Sequence, residues 1–374
     1  MVCLMKSVLT PLLFSIAAAV ASAGTAMAVP VYFGTSGAPA EGIYLADFDS
    51  ATGRLSSATL AAAVPGPGFL CLHPTHPVLY ASCGQEVRVF SRGENHSLEA
   101  IQTVATGGQG ACHLETTPCG KGLAVANYGD GSISIYRLDP ATGRIEGEAV
   151  VKRFEGKGPN QERQEGPHAH GTHFRGEMML VPDLGTDKIM AFQFDPAAGL
   201  DAVPWSEWPQ PFIPCQPGDG PRHAAFHPDG KHVFAIHELS NVLEVWELAK
   251  EGPKSIARLG TLPDDWKGKN TTAEVQIHPE GKWVFGSNRG HDSILVAAFD
   301  PAKGSLTRHA IVPCDLKTPR HFTLSPCAKW LLAAGQQSHE VAVFSFDAAN
   351  GQLVRTDFCI EVPAPSCILF APAP

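Results

Sequence analysis

Charged residues are scarce in this 374-residue chain, and the short motifs of several enzyme classes are missing from it. Asp, Glu, Lys and Arg make up only 17% of the sequence, and the formal net charge is -9. Because no basic cluster stands out, nucleic acid is disfavoured as a partner. There is no P-loop, no G-x-G-x-x-G loop and no G-x-S-x-G elbow, which disfavours nucleotide binding and serine catalysis through those motifs.

Cysteine is present but follows no metal or redox pattern. No C-x-x-C pair occurs, so the sequence lacks a zinc ribbon and a thioredoxin-type motif. Nine cysteines follow residue 28, an odd number that leaves at least one thiol unpaired within a monomer. The sequence does not determine which of them, if any, form disulfides.

The first 28 residues have the composition of a secretory signal peptide. A short positive start with Lys6 precedes an apolar run, and Ala26-Met27-Ala28 matches an A-x-A cleavage site, with Ala21-Ser22-Ala23 as a second candidate. We therefore expect residues 1–28 to be removed and the protein to be exported, periplasmic or secreted, without stable membrane association afterwards. A retained membrane anchor is the alternative, but the apolar run is short for a bilayer span.

An X-Pro dipeptide recurs along the chain and carries the fold prediction. Successive copies lie 44 to 56 residues apart, and each of the first six is followed by a turn, an apolar stretch and, in most cases, an alternating run. The copies, one of them degenerate, are His73-Pro74, Thr117-Pro118, His173-Phe174, His227-Pro228, His278-Pro279, Ser325-Pro326 and Ala371-Pro372. Each unit has the pattern of about four short strands, and a period of this length is typical of β-propeller blades.

The seventh unit is divided between the two ends of the chain. The stretches VYFGT and GIYLADFD lie near the N-terminus, whereas PSCILF supplies a single strand near the C-terminus. Pairing these fragments would close a ring and protect an otherwise exposed sheet edge. The sequence therefore predicts an all-β, seven-bladed β-propeller of four-stranded antiparallel blades over residues 29–374. An open solenoid, the alternative, would leave both half-units unpaired.

The register against the X-Pro corner predicts which side chains share one face of the disc. In an antiparallel blade, the residue five positions before the corner and the residue eleven positions after it lie at the same face, near the channel. We call this face the mouth, and several blades place titratable side chains there. They are His168, Arg222 and Arg320 before the corner, Glu238 and Arg289 after it, and Asp183 and Asn288 one residue earlier.

We interpret the histidines of the mouth and those of the corners differently. A histidine that recurs at the corner is expected to be scaffold, with its ring bonded to turn backbone. His73, His173, His227 and His278 are of this kind, and His113, His223 and His321 share another repeated position. His168 and His170 are a conceivable metal pair, but no carboxylate or third histidine stands at a clear ligand spacing, so no metal is predicted.

Three arginines near one axis repel one another unless an anion or carboxylates offset their charge. The arginine fork suits carboxylate and phosphate groups, which makes an anionic ligand an attractive interpretation of the mouth. The alternative is that these charges are solvated, or that they pair with one another as salt bridges between blades.

Several segments together resemble the seven-bladed β-propeller lactonases, which include propeller-type 6-phosphogluconolactonases and the fungal carboxymuconate cycloisomerase. The likeness covers nearly all of the chain after the signal segment. It is strongest in ERQEGPHAHGTHF, VPDLGTDKI, GDGPRHAAFHPDGKHVFAIHELSNVLEVW, AEVQIHPEGKWVFGSNRGHDSILV and TPRHFTLSP. The resemblance implies a site of one histidine, one glutamate and two arginines, which fall on His168 (or His170), Glu238, Arg222 and Arg289. His237 departs from the family pattern, where asparagine is more usual.

The resemblance implies a lactone hydrolase that acts on a sugar-type lactone without a metal or cofactor. In this hypothesis His168 or Glu238 activates water, and Arg289 offsets charge on the carbonyl oxygen. The residues expected to bind the substrate are Arg222, Arg320, His170 and Asp183. Because the sugar-phosphate lactone of central metabolism is cytoplasmic, an exported member is expected to act on another lactone or sugar acid. A muconate-type lactonising cycloisomerase and a non-enzymatic exported propeller that binds an anion remain as alternatives.

Overall fold

The fold was examined in a computed structural model that describes residues 28–194 and 203–372. Most of the predicted signal segment, residues 1–27, therefore lies outside the described residues. Within the described ranges, strands account for nearly all regular structure, and a single 3₁₀ turn occurs at Glu94–His96. No helix in these ranges has the length and apolar character needed to cross a bilayer.

The strands follow one another along the chain in seven groups. The N-terminal group is β1 Ala28–Thr35, β2 Gly42–Asp49, β3 Arg54–Leu55 and β4 Thr59–Ala63. Blade 1 is β5 Phe69–Leu72, β6 Val78–Cys83, β7 Glu86–Arg92 and β8 Leu98–Ala105. Blade 2 is β9 Ala111–Thr116, β10 Gly122–Asn127, β11 Ser132–Leu138 and β12 Ile145–Arg153. Blade 3 is β13 His173–Arg175, β14 Met178–Asp183, β15 Lys188–Gln193, β16 Val203–Pro204 and β17 Phe212–Pro214.

The remaining blades each use four consecutive strands. Blade 4 is β18 Pro221–Phe226, β19 His232–His237, β20 Val242–Ala249 and β21 Gly252–Gly260. Blade 5 is β22 Thr271–Ile277, β23 Trp283–Arg289, β24 Ser293–Asp300 and β25 Ser305–Pro313. Blade 6 is β26 Pro319–Leu324, β27 Trp330–Gly335, β28 Glu340–Asp347 and β29 Gln352–Glu361, and the last strand is β30 Pro365–Phe370.

The two ends of the chain build the closing blade together, as the sequence predicted. β30 pairs with β1, and the sheet continues outward through β2 to β3 and β4, which both pair with β2. The register aligns Phe33 with Ile368 on one side of β1 and with Tyr44 on the other. All pairings are antiparallel and the blades number seven, so the predicted propeller is confirmed.

The inner strands of each blade are apolar on both faces because every sheet lies between two others. β10, with the sequence GLAVAN, is buried at all six positions, whereas the outer strand β12 is buried only at its first residue. The layer between blades 1 and 2 shows the packing, with Tyr80 and Val89 of one blade against Leu123 and Val125 of the next. Burial of each such side chain contributes about 1.5–3 kcal/mol, so the stack itself supplies the main driving force.

The corner histidines bond to backbone, and three of them reach the neighbouring blade, His173 by accepting the Ala224 N–H on Nε2 at 3.2 Å. The ring of His73 meets the Gly120 carbonyl oxygen through Nε2 at 2.8 Å, and its Nδ1 accepts the Thr75 N–H at 3.1 Å. His227 reaches the Gly281 carbonyl oxygen at 2.9 Å in the same way. The scaffold interpretation of these corners is therefore confirmed, because both ring nitrogens serve the backbone.

Candidate active site

Two adjoining cavities open at the mouth and contain most of the predicted site residues. The first, which we call the charged cavity, measures about 420 Å³ and is lined by Gly110, Cys112, Tyr128, Arg163, His170, Glu238, Thr271, Arg289 and Arg320. The second, which we call the open cavity, measures about 450 Å³, shares Cys112 and Arg320 with the first and is also lined by Arg222. The structure therefore brings residues of blades 2 to 6 to one place, as the repeat register predicts.

Glu238 is the centre of the charged cavity and contacts three arginines. Its Oε2 lies 2.8 Å from Arg289 Nη2 and 3.1 Å from Arg222 Nε, and its Oε1 accepts a hydrogen bond from Arg163 Nη2 at 2.6 Å. Burial of the carboxyl group opposes ionisation, but the charges of Arg289 and Arg222 outweigh it and hold the pKa of Glu238 well below its usual value. Glu238 is therefore an ionised counter-ion whose oxygens are already occupied.

The two arginines that face Glu238 from blades 4 and 5 are fixed by backbone carbonyls of β22. Arg222, 2% exposed, donates from Nη1 to the Ala273 oxygen at 2.6 Å. Arg289 donates from Nη2 to the Thr272 oxygen at 2.7 Å. Burial and the nearby charges of Arg320 and Arg289 lower the pKa of Arg222 to about 9, which still leaves it charged at neutral pH. Both guanidinium groups are thus preorganised in one orientation.

Arg163 is a site residue that the repeat register did not predict. It lies on the long connection between β12 and β13, and besides Glu238 it donates to the Tyr128 hydroxyl at 3.3 Å. Since this connection has no counterpart in the X-Pro register, strand periodicity gave no signal for Arg163. Its place within the segment ERQEGPHAHGTHF was the available signal, because that segment carried the resemblance to the lactonases.

Arg320 differs from the other arginines of the mouth in its contacts. Among the described residues it makes no hydrogen bond and no ion pair, although it lines both cavities. Burial and the charge of Arg289 lower its pKa. A cation that is partly desolvated and unpaired is the group that gains most from an anionic ligand.

His170 lines the charged cavity with an uncharged ring. It is 4% exposed, its Nδ1 lies 3.9 Å from Cys112 Sγ, and its Nε2 has no hydrogen-bond partner among the described residues. Burial lowers the pKa of His170 well below 6.5, and the charge of Arg222 lowers it further. At neutral pH this imidazole is therefore a free base with one nitrogen open to the cavity.

His168 occupies a different setting from His170, although both rings contact Tyr128. The His168 ring stacks on Tyr128 with centroids 4.4 Å apart, and its Nδ1 lies 2.8 Å from the Tyr128 carbonyl oxygen. Its Nε2 lies 3.2 Å from Glu165 Oε1. Both ring nitrogens are engaged and His168 lines neither cavity, so the geometry favours His170 over His168 for proton transfer.

Asp183, which we expected to bind the substrate, is fully buried, and its carboxylate accepts hydrogen bonds from nearby groups of the chain. Its Oδ1 accepts the N–H groups of His168 at 2.6 Å and Gly185 at 3.1 Å, and its Oδ2 accepts the Thr186 hydroxyl at 2.6 Å. Burial raises its pKa. Because its oxygens are occupied and it lines neither cavity of the mouth, Asp183 holds the His168 segment in place, and this differs from the sequence-based expectation.

Two clusters in the described part of the chain combine histidine and carboxylate atoms at spacings that would suit a metal ion. They are Asp219 with His237 and Glu244, and His227 with Asp229 and His232. In the first, Arg258 already supplies the positive charge, with Nη2 at 2.8 Å from Asp219 Oδ1 and a further ion pair to Glu244. This network also explains His237, whose Nε2 lies 3.0 Å from Glu244 Oε2. Neither cluster lines the mouth cavities.

Comparison with known proteins gives the same architecture and a consistent set of relatives. Residues 30–370 match the family model described as lactonase, 7-bladed beta-propeller. The chain is 28% identical to a 6-phosphogluconolactonase of Formosa agariphila, over 77% of this chain and 83% of that protein. It is 29% identical to a 6-phosphogluconolactonase of Bacillus subtilis, over 76% and 82%.

Among solved structures, the periplasmic gluconolactonase of Pseudomonas aeruginosa superposes with a TM-score of 0.86 at 25% identity, covering 93% of this chain and all of that one (100%). The family model spans most of the chain and includes every strand that contributes to the mouth. The chain therefore belongs to the seven-bladed β-propeller lactonase family.

Proposed function

We propose that the protein is an exported lactonase that hydrolyses a sugar-type lactone by attack of water, without a metal. The observation that carries this proposal is the neutral His170 ring in the same cavity as three guanidinium groups and one carboxylate. A base beside an excess of positive charge suits a reaction in which an oxyanion forms at a carbonyl group. The names of the relatives in the two bacteria and of the P. aeruginosa neighbour support a lactone as the substrate.

His170 would act as the general base. Its Nε2 takes a proton from a water molecule as the water oxygen bonds to the lactone carbonyl carbon, and the carbonyl oxygen becomes an oxyanion. When the oxyanion collapses, the ring C–O bond breaks and the departing alkoxide takes the proton back from the imidazolium group. The product is an open hydroxy acid. A positioned base of this kind contributes about 10²–10⁴-fold to the rate.

The arginines would divide into two roles. Arg289 and Arg222, which Glu238 holds by ion pairs at 2.8 and 3.1 Å, offset the oxyanion. One such donor is worth about 3 kcal/mol by comparison with oxyanion holes. Arg320, the unpaired cation, donates hydrogen bonds to oxygen atoms of the ligand, and a carboxylate or phosphate oxygen would accept them most strongly. Glu238 then orients the arginines rather than activating water, because its oxygens already face three guanidinium groups.

The proposed place of action is outside the cytoplasm. The composition of residues 1–28 supports export, and the structural neighbour from P. aeruginosa is named as periplasmic. Detection of the processed protein in a periplasmic or culture fraction, beginning near residue 29, tests this part of the proposal. A protein that stays in the cytoplasm with its N-terminal segment intact would contradict it.

The chemical proposal is tested with two matched variants, His170→Gln and His168→Gln. Lactone opening is followed by acid release on glucono-δ-lactone and on 6-phosphogluconolactone, with and without EDTA. We expect His170→Gln to lower kcat by about 10²–10⁴-fold, His168→Gln to have a much smaller effect, and EDTA to have none.

Thermal unfolding of both variants serves as the control for folding. Full turnover by His170→Gln would eliminate the proposed base. Ligand binding without turnover by the wild-type protein would favour a binding propeller, and lactone formation from a muconate-type acid would favour a cycloisomerase.

A further inference from the structure

The open cavity adjoins the reacting groups, and the proposed reaction uses only the Arg222 and Arg320 side chains of its lining. Its volume of about 450 Å³ and the 420 Å³ of the charged cavity each fall within the roughly 300–1,000 Å³ of small-molecule pockets. Cys112 and Arg320 line both, so one ligand can extend from one cavity into the other. A substrate that occupies only the charged cavity would leave half of the available space empty.

The open cavity is lined by rings that contact one another near the axis of the disc. One layer below the mouth, aromatic rings from four blades meet at the axis. The ring centroid of Phe69 lies 4.2 Å from that of His113 and 5.5 Å from that of His321, and His113 lies 5.1 Å from His223. Phe69, His223 and His321 also line the open cavity, so a group that enters it from the mouth meets these rings.

Blade 1 creates the open cavity by placing glycine at both of its mouth positions, Gly68 and Gly84. The other blades carry side chains at the equivalent positions. Before the corner these are Cys112, His168, Arg222, Ala273, Arg320 and Ser366, and after it Tyr128, Leu184, Glu238, Arg289 and Gln336. A Cβ atom added to Gly68 would meet no atom closer than 3.9 Å, which shows open space where the other blades have bulk.

The lining of the open cavity suits an uncharged, hydroxylated group. Apart from Arg222 and Arg320, its side chains are uncharged: hydroxyls, two thiols, small apolar groups, one phenylalanine ring and two histidines. Burial lowers the pKa values of His223 and His321, so these rings are neutral. Hydroxyl and backbone groups can bond to sugar hydroxyls while an aromatic ring packs against the apolar face of a sugar.

We propose that the open cavity is a subsite for a second sugar unit, so that the preferred substrate is an aldobionolactone, a lactone with another sugar attached. This inference rests on the proposed lactonase function. The lactone ring lies in the charged cavity against His170 and Arg289, and the attached sugar lies in the open cavity over Gly68. A monosaccharide lactone is then a poorer substrate because it leaves the subsite empty.

The test compares kcat/KM for lactobionolactone and for glucono-δ-lactone in three proteins. The wild-type protein should prefer lactobionolactone by about tenfold or more, the change that 1.4 kcal/mol of binding free energy produces. Gly68→Leu fills the subsite and should lower that preference by about the same factor. Gly260→Leu, the same change at the end of the outer strand β21, should keep the wild-type ratio.

A second variant, Ser36→Trp, guards against a folding defect in Gly68→Leu. Ser36 is exposed and lines the open cavity, so a large ring there obstructs the subsite without replacing buried structure. It should also lower the preference for lactobionolactone. Turnover of glucono-δ-lactone with no preference for lactobionolactone, or an unchanged ratio in both folded variants, overturns the inference and leaves the lactonase proposal standing. Turnover of neither lactone would contradict the lactonase proposal itself.

Discussion

The corners and the mouth of this propeller both carry histidine, and they use it differently. At the corner, His73 and His227 each bond to the backbone through both ring nitrogens, and each joins two blades. At the mouth, His170 has one ring nitrogen near a thiol, and the other has no hydrogen-bond partner in the part of the chain that the structure describes. The comparison teaches that the occupancy of the ring nitrogens, rather than the residue type, separates a scaffold histidine from one that can exchange a proton.

The same distinction applies to the charged groups within the mouth. The oxygens of Glu238 contact three arginines, whereas Arg320 has no partner among the described residues. A charged group that already has protein partners holds those partners in place, whereas a charged group without protein partners is available to the ligand. The charge pattern of the site therefore has a fixed part, centred on Glu238, and an open part at Arg320.

The largest effect is expected from breaking the fixed part with Glu238→Gln. Without the carboxylate, the arginines lose their counter-ion and repel one another, so kcat/KM should fall by about 10²-fold or more. Because the ion pairs are buried, stability should also fall, by about 3–5 kcal/mol. Lactone opening and chemical denaturation measure the two effects. Glu247→Gln, on an exposed position of β20, is the matched control, and wild-type behaviour of Glu238→Gln would refute the central role.

A smaller effect is expected from pH, and it sharpens the comparison between His170 and an exposed histidine. Burial lowers the pKa of His170 well below 6.5, so its neutral form persists as the pH falls through 6.5. The base is lost only when the pH falls through the lowered pKa. We therefore expect kcat/KM to stay level as the pH falls from neutral through 6.5 and to decline only at the lower pH where His170 is protonated. A midpoint at 6.5 or above would assign the base to a less buried group.

The smallest effect on activity is expected from His227→Ala at the corner. This change removes the bond to the Gly281 carbonyl oxygen and should cost about 1–3 kcal/mol of stability, with kcat/KM unchanged. Urea denaturation and the lactone assay measure the two quantities. His73→Ala, which breaks the equivalent bond in blade 1, should behave alike. A large loss of activity in either folded variant would mean that the corner and the mouth are coupled.

The sequence predicted the propeller and much of the mouth because both depend on a repeated register. Arg222, Glu238 and Arg289 stand at fixed distances from X-Pro corners, and antiparallel pairing converts these distances into a shared face. The ring closure was predictable for the same reason, since the two end fragments complete one another.

Strand register makes no prediction for residues that lie outside the strands. β13 begins only at His173, so strand alternation could not decide between His168 and His170, and Arg163 lies on a connection without any repeat. Asp183 lies at the predicted height, but its oxygens bond to groups of its own chain, and its assignment to substrate binding stays a prediction. The equivalent Asn127 and Asn288 also bond to their own blades, through the hydroxyls of Ser132 and Ser293, which shows that this position fastens loops.

Because β1 pairs with β30, the ring of blades cannot close until the C-terminal strand has been made. A chain that is made from its N-terminus presents β1 with its inner side unpaired until the very last strand arrives. The ring of blades therefore stays open for as long as the C-terminal strand has not been made. Pairing of β30 with β1 is then the last step of ring closure. A chain shortened at its C-terminus lacks the strand that closes the ring.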